Sequence, residues 1–284
     1  MVVDKDLAKL LADLTPRPDV VFNNLHGTGG EDGVIQGVLE MLGLPYTHSG
    51  VLASSIAMDK PMTKLIAATV GVPSPEGVVC SVADLLQAEP IARPYVAKPA
   101  CEGSSVGVRI VMPDDNHQPI DVSEWDYGTE LLVEKYIPGR ELTVAVLDGV
   151  PQAVTEIVSH ARFFDYEAKY HDTRTEYVCP AQIAPEIEAL ALEYAAAVYK
   201  VLGCNGLARC DFRFDDTKGN DGIFFLEINT QPGMTPESIG PSQVIRNGKS
   251  FSDLCAHLVE TALCRNAEHE KALSSKDAKA LRSA

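Results

Sequence analysis

The pattern of apolar and polar positions changes period several times along the chain, and each change marks an expected element. Residues 19 to 25 (DVVFNNL) form a short apolar run that enters the glycine-rich HGTGGEDG. VIQGVLEMLG then carries helical spacing, with Gly43 as its stop. This predicts a strand, loop and helix of an open α/β sheet. Only one helix-like stretch, DLAKLLADL, precedes it, so a parallel sheet would begin with its first strand missing or supplied elsewhere. From Ser54 to about Val70 the pattern is helical, with Pro61 in a first turn after a break, and GVPSPEG follows as a loop. Ser81 is the expected cap of the helix VADLLQA. Strands are expected at 93–98, 130–137, 141–147 and 150–158, a long alanine-rich helix at 184–202, and a strand pair at 206–214 and 222–229. A last helix, capped by Ser250, is expected from Phe251 to Cys264, followed by a polar tail. No internal repeat is present.

Composition narrows the function classes. Apolar residues make up 45% of the 284 positions, enough for a sizeable core. Forty acidic residues against 24 basic ones leave a net charge of -16, so nucleic acid and anionic membranes are repelled by the mean field. An anionic ligand would need the basic residues focused in one cleft. No apolar run reaches the length of a membrane span and no signal peptide opens the chain, so a cytoplasmic protein is expected. The seven cysteines show no C-x-x-C pair and read as reduced thiols. Cys101 sits in a glycine-bearing loop and is the one candidate for reactivity, although a tolerated small side chain is the simpler reading.

The late strand pair carries the most chemistry, because side chains two apart in a strand share a face. Arg209 and Asp211 fall on one face, with Phe225, Glu227 and Asn229 opposite them. Cys210, Phe212, Phe214, Phe224, Leu226 and Ile228 would supply the apolar face. Antiparallel pairing brings an Asp, a Glu and an Asn oxygen together, the hard donor set that Mg²⁺ prefers. A solvated polar face with an ordinary Arg/Asp pair accounts for the same alternation. In KPACEGSSVG, a strand ending in Lys98 runs into a loop of small residues whose backbone N–H groups and hydroxyls suit phosphate; a plain tight loop is the competing reading. Lys60, Glu134, Lys135, Lys169 and Tyr170, each taken singly, read as ordinary surface residues, and His26 before the first glycine loop reads either as a donor to an anion or, more plainly, as a satisfied loop histidine. Taken together, five cations at strand ends or loops and a separate acidic, amide-bearing set are what transfer from a magnesium-bound nucleoside triphosphate requires.

The strings LHGTGGEDGVIQGVLEMLGLPYTHSGVLASSIAMDK, KPACEGSSVG, EKYIPGRELTVAVL, FFDYEAKY, GLARCDF and LEINTQPGMTPES occur in this order between about Asp19 and Cys264. Together they closely resemble the D-alanine–D-alanine ligase family of the ATP-grasp superfamily. The resemblance implies a mixed α+β and α/β fold. Its parts would be an N-terminal parallel α/β substrate domain (1–56), a central ATP-grasp subdomain (57–131), a C-terminal subdomain (132–265) and a polar tail (266–284). ATP would be clasped between antiparallel sheets, with Mg²⁺ or Mn²⁺, two ions per site. Lys60, Lys98 and Lys169 would contact phosphates. Glu134, Lys135, Tyr136 and Ile137 would bracket adenine, and Glu141 the ribose. Asp211, Glu227 and Asn229 would hold the metal, and Arg209 would stabilise the transferred phosphoryl group. Ser104 and Tyr170 would order the closed site, Gly233 and Ser238 would lie near the second D-alanine, and His26 near the acyl phosphate.

The implied reaction is attack of one D-alanine carboxylate on the γ-phosphate, then displacement of phosphate by the amine of a second D-alanine, for peptidoglycan precursors. A closing loop carrying Lys169 and Tyr170 would exclude water. By the same resemblance, Tyr170 would favour the dipeptide over D-alanyl-D-lactate. A homodimer is implied, with no nucleic-acid or membrane partner. Family members open with a strand, a glycine loop, a Ser and a Glu that meets the first D-alanine; nothing here matches that segment, so a truncated first domain and reduced activity are expected. Another carboxylate–amine ligase of the superfamily, or a nucleotide-binding remnant, are the alternative readings.

Overall fold

The computed structural model describes residues 6–103, 107–116, 118–121, 125–159 and 175–264. Helix α1 (Leu7–Asp13) is capped by Asp6, whose carboxylate accepts from the Ala8 and Lys9 amides at 2.9 and 3.2 Å. The strand expected at 19–25 is reduced to one bridge. Val21 pairs in parallel with Tyr46, and the ladder stops two residues on because the Asn23 amide donates to the Thr47 hydroxyl instead of a carbonyl. The Asn23 side chain meanwhile accepts from Leu25 N–H, which turns the chain into the glycine loop.

Helix α2 (Val34–Met41) ends as expected at Gly43, which takes a φ of +65° that a β-carbon would disfavour. The helical stretch expected over 54–70, with its break before Pro61, is two helices: α3 (Val51–Met58) and α4 (Lys60–Thr69). Asp59 stands between them and caps α4 by accepting from Met62 N–H at 2.9 Å, with Pro61 in the first turn where its missing N–H is harmless.

Two antiparallel sheets follow. The first runs β1 (Gly77–Ser81), β4 (Glu130–Lys135), β2 (Tyr95–Pro99) and β3 (Arg109–Val111), with α5 (Val82–Gln87) capped by Ser81 in a reciprocal box with Asp84. The second runs β7 (Thr175–Val178), β6 (Val150–Ser159), β5 (Arg140–Leu147), β8 (Leu207–Phe214) and β9 (Ile223–Asn229). Strands β1, β3 and β7 were not expected from the sequence. All three are edge strands of five residues or fewer, too short for alternation to register.

Helix α6 (Pro185–Leu202) covers one face of the larger sheet. Its Ile187, Ala191, Ala195, Val198 and Leu202 repeat at three and four residues and meet Val144, Cys210, Phe212 and Ile228 of the strands. The two alanines let the helix lie close. Helix α7 (Ile239–Arg246) also escaped the sequence pattern, because Pro241 and its short length hide it. It is pinned by buried Gln243, which accepts from Ala145 N–H at 2.8 Å and donates to the Thr143 carbonyl and the Thr155 hydroxyl. Helix α8 (Phe251–Glu260) is capped by Ser250 as expected but stops short of Cys264, since Leu263 leaves it to pair with Tyr46.

Beneath β8, His48 is 3% exposed and donates its Nδ1 proton to the Leu207 carbonyl at 3.2 Å, while Nε2 has no partner among the described residues. Burial drives its pKa down to about 4, against the pull of that carbonyl. No helix among the described residues is long and apolar enough to cross a membrane.

Candidate active site

The facing sheets enclose a cavity of about 410 Å³. One wall is built by β2 and β4. Strand β2 pairs with β4 so that Val96 faces Glu134 and Lys98 faces Leu132. The Lys98 ammonium reaches the Glu134 carboxylate at 2.5 Å, and the Lys64 ammonium of α4 takes the other oxygen of the same carboxylate. Burial by itself would favour a protonated Glu134, but the charges of Lys98 and Lys64 outweigh it and hold the pKa below the ordinary value. Lys64 follows Lys60 by one helical turn, the spacing that places two side chains on one face. That i, i+4 repeat was the available signal for a residue the sequence reading passed over. The Lys60 ammonium donates to the Glu102 carbonyl and lies 3.4 Å from Glu227. The lining continues through exposed Lys135, half-buried Tyr136 and buried Ile137, with Glu141 beyond.

The opposite wall is the β8–β9 hairpin. Arg209 pairs with Asn229 and Asp211 with Glu227, so these four share the cleft face as expected. Beyond Asp211 the register shifts, and Phe212 faces Phe225 rather than Leu226. This bulge corrects the sequence reading. Phe225 is fully buried against Phe212, their rings 5.8 Å apart, instead of sharing the face of Glu227. Phe224 and Leu226, expected in the core, are half-buried, and Leu226 lines the cavity. One extra residue on β9 breaks the two-residue alternation, which strict periodicity cannot anticipate.

Arg209 grips Asp211 with two parallel hydrogen bonds of 2.9 and 2.8 Å, and Thr143 on β5 donates to the same carboxylate at 2.6 Å. Burial would lower the Arg209 pKa, yet the Asp211 charge raises it above the ordinary value, so the guanidinium stays charged. The Asn229 side-chain oxygen accepts from Gln231 N–H at 2.9 Å. Among the described residues no three His, Cys, Asp or Glu side chains form a metal cluster. Asp211, Glu227 and the Asn229 amide instead make a two-carboxylate oxygen set, the kind that phosphate oxygens complete around Mg²⁺.

A second carboxylate source was missed in the sequence. Glu31, in the glycine loop, lines a small recess with Lys60, Glu227 and Asn229 and accepts from Gly27 N–H at 2.8 Å. Burial raises its pKa, with the Gly27 amide and His26 opposing. His26 itself is exposed. Three amides converge on the Gly30 carbonyl beside it: Asn23 at 3.4 Å, Gln36 at 3.1 Å and Gln231, from the end of β9, at 2.6 Å.

Gly233 and Ser238 meet in the loop before α7, where a β-carbon on the glycine would stand 2.9 Å from the serine Oγ; neither lines the cavity. Ser104, Lys169 and Tyr170 lie outside the described residues, as does the tail beyond Cys264. The Cys101 thiol is pushed up by burial and by Asp59, which opposes an activated thiolate.

Comparison with known proteins decides the family. Residues 82–260 match the sequence profile of the D-ala D-ala ligase C-terminus, and residues 5–49 that of the D-ala D-ala ligase N-terminus. The chain belongs to the D-alanine–D-alanine ligase family. It is 50% identical over 265 residues to a D-alanine–D-alanine ligase of Erythrobacter litoralis, covering 92% of this chain and 81% of that protein. A Rhodospirillum rubrum ligase of the same name is 49% identical, over 92% and 86%. Among solved structures, the Bacillus anthracis D-alanine–D-alanine ligase complexed with ATP superposes with a TM-score of 0.76 at 33% identity, covering 93% of this chain and 85% of that one. A D-Ala:D-Ser ligase from Enterococcus faecalis gives 0.74 at 32%, over 86% and 73%. The ATP-grasp fold expected from the motifs is thus the family fold.

Proposed function

We propose that this chain condenses two D-alanines into D-alanyl-D-alanine at the expense of ATP, with the cavity between the two sheets as the nucleotide site. The observation that carries this reading is the gathering of cations in the cleft, where Lys60, Lys98, Lys135, Arg140 and Arg213 all line the cavity. Lys60 and Lys98 line the cavity in a protein of net charge -16, and the carboxylates of Asp211 and Glu227 face them. That is the concentration of positive charge an anionic ligand needs in an acidic protein.

In this reading Lys60 and Lys98 bind phosphate oxygens, with Lys169 as a third cation. The segment Glu134 to Ile137 holds the base and Glu141 the ribose. Asp211, Glu227 and Asn229 fit a divalent cation, Mg²⁺ or Mn²⁺, two per site, which when bound neutralises phosphate charge. Arg209, fixed by Asp211, presents its remaining N–H donors toward charge that develops as the D-alanine carboxylate takes the phosphoryl group and, later, as the second amine adds to the acyl carbon. Ser104 and Tyr170 close the site, His26 sits near the acyl phosphate, and Gly233 and Ser238 bind the second D-alanine. The product serves peptidoglycan synthesis in the cytoplasm, and the active species is a homodimer. The domain division at about residues 56, 131 and 265 belongs to the same reading.

The test is phosphate release from ATP by this chain, with and without D-alanine, together with mass spectrometry of the product. D-alanine-dependent release with dipeptide formation is expected. ATP turnover indifferent to D-alanine would sink the reading. The likeness to a D-Ala:D-Ser ligase makes D-serine the first alternative acceptor to include, and sedimentation of the same preparation tests the dimer.

A further inference from the structure

The corner of the cavity formed by Lys64, Glu134 and Lys98 carries an imbalance that the ligand assignments leave unexplained. Three ionisable side chains are packed there, each under a tenth exposed: Lys64 at 9%, Lys98 at 6% and Glu134 at 2%. Two ammonium groups share one carboxylate, one on each oxygen. A buried cation without its own counter-ion is unfavourable, so the arrangement is one anion short. Lys98 and Glu134 line the cavity, whereas Lys64 does not. Only Lys98 is therefore placed to meet an anion that enters.

We propose that Lys64 is a positioning residue of the nucleotide site, holding Glu134 so that Lys98 is released to a phosphate oxygen of ATP. With Lys64 absent, Lys98 and Glu134 would form a closed one-to-one pair. Drawing Lys98 toward a phosphate would then strand a buried carboxylate on the cavity wall, a state that opposes binding. With Lys64 present, the carboxylate keeps a partner throughout, and arrival of a phosphate supplies the missing anion. Lys64 approaches from α4, whose buried Ala67 belongs to the core of the larger sheet, while Glu134 and Lys98 stand on the smaller one. The charged groups that act on Lys64 are Lys98 from β2, Glu134 from β4 and, more distantly, Glu227 from β9. Consistent with two cations crowded on one carboxylate, burial and then the Lys98 charge bring the Lys64 pKa down to about 8.

This inference rests on the assignment of the cavity to ATP, and the experiment separates the two. ATP binding is first measured by calorimetry on the unaltered protein without D-alanine; no binding there would fail the site assignment, irrespective of Lys64. Lys64→Met is then expected to weaken ATP binding and raise the KM for ATP about tenfold or more, with kcat changed less than about threefold. The KM for D-alanine should stay put. Lys64→Arg keeps the charge and should restore ATP affinity to within about threefold. Combined with Glu134→Gln, which removes the carboxylate clamp on Lys98, Lys64→Met should weaken ATP binding less than about twofold further. Unchanged ATP affinity in Lys64→Met, failure of arginine to rescue, or a full effect persisting in the Glu134→Gln background would each overturn the proposal. Should Lys64→Met not fold, Lys64→Gln serves in the same cycle, since it fills similar space without the charge.

Discussion

The two walls of the cleft hold their charges in opposite ways. At the smaller sheet, Lys98 and, from α4, Lys64 outnumber the Glu134 carboxylate between them, and the shortage is of negative charge. On the larger sheet, Asp211 and Glu227, joined by Glu31 from the glycine loop, outnumber the Arg209 guanidinium they surround. Each wall is incomplete on its own, in the sense a triphosphate and a divalent cation would together satisfy. Both walls stand on apolar cores, Tyr95, Ala97, Leu131 and Val133 under the lysine wall and Phe212 and Phe225 under the acidic one, where a bulge sets which side chains reach the core.

That apolar support is where the contrast breaks most severely. Phe225→Ala is expected to cost about 3 to 5 kcal/mol in urea unfolding, because a fully buried ring is lost, while Phe224→Ala should cost less than about 1 kcal/mol. Equal losses would mean that the register shift is absent in solution. Next comes the arginine of the acidic wall that grips Asp211. Arg209→Met should lower the rate of dipeptide formation on the order of 10² to 10³ while ATP affinity, set by the lysine wall, changes little. A parallel loss of ATP affinity would erase the division of labour between the walls.

Smaller still is a pH effect beneath the acidic wall. His48 is neutral in the folded state with its pKa at about 4, against 6.5 for the free side chain. Its contribution is therefore complete above pH 6.5 and is lost as pH falls from there toward 4, by roughly 3 kcal/mol at most. Chemical unfolding at pH 7.5 and pH 5 should show that slope, and His48→Gln should flatten it. An unaltered slope in the variant would assign the acid sensitivity elsewhere. At the lysine wall's outer end, exposed Lys135→Ala should shift the KM for ATP by no more than about threefold, since an exposed charge is solvent-screened. A tenfold change would mean that its side chain, and not just its backbone, meets the nucleotide.

What was legible in the sequence was whatever obeys a local period or a local cap. The helix at Pro185–Leu202, the Ser81 and Ser250 caps, the Gly43 stop and the pairing of Asp211 with Glu227 all follow from neighbours within a few residues. What escaped depends on partners far along the chain. The apolar run around Val21 reads as a strand, yet it makes a single bridge because the Asn23 amide finds a hydroxyl instead of a neighbouring ladder. The bulge at Leu226 is visible only once β8 is laid beside β9. Glu31 and Lys64 join the site through loops and helices separated from their partners by tens of residues or more, and no motif spacing encodes such distances.

The convergence of three amides on the Gly30 carbonyl has a mechanical consequence. Gln231 reaches it across 201 positions of sequence, with its side chain buried, so the glycine loop is riveted to the end of β9. Sliding one past the other would break a buried hydrogen bond, at about 1 to 3 kcal/mol, before any substrate had moved. Glu31 therefore travels with Glu227 and Asn229 as one stiff floor. Any widening that admits a ligand is cheaper at the opposite side, where the joints are ion pairs that can exchange partners without leaving a charge bare.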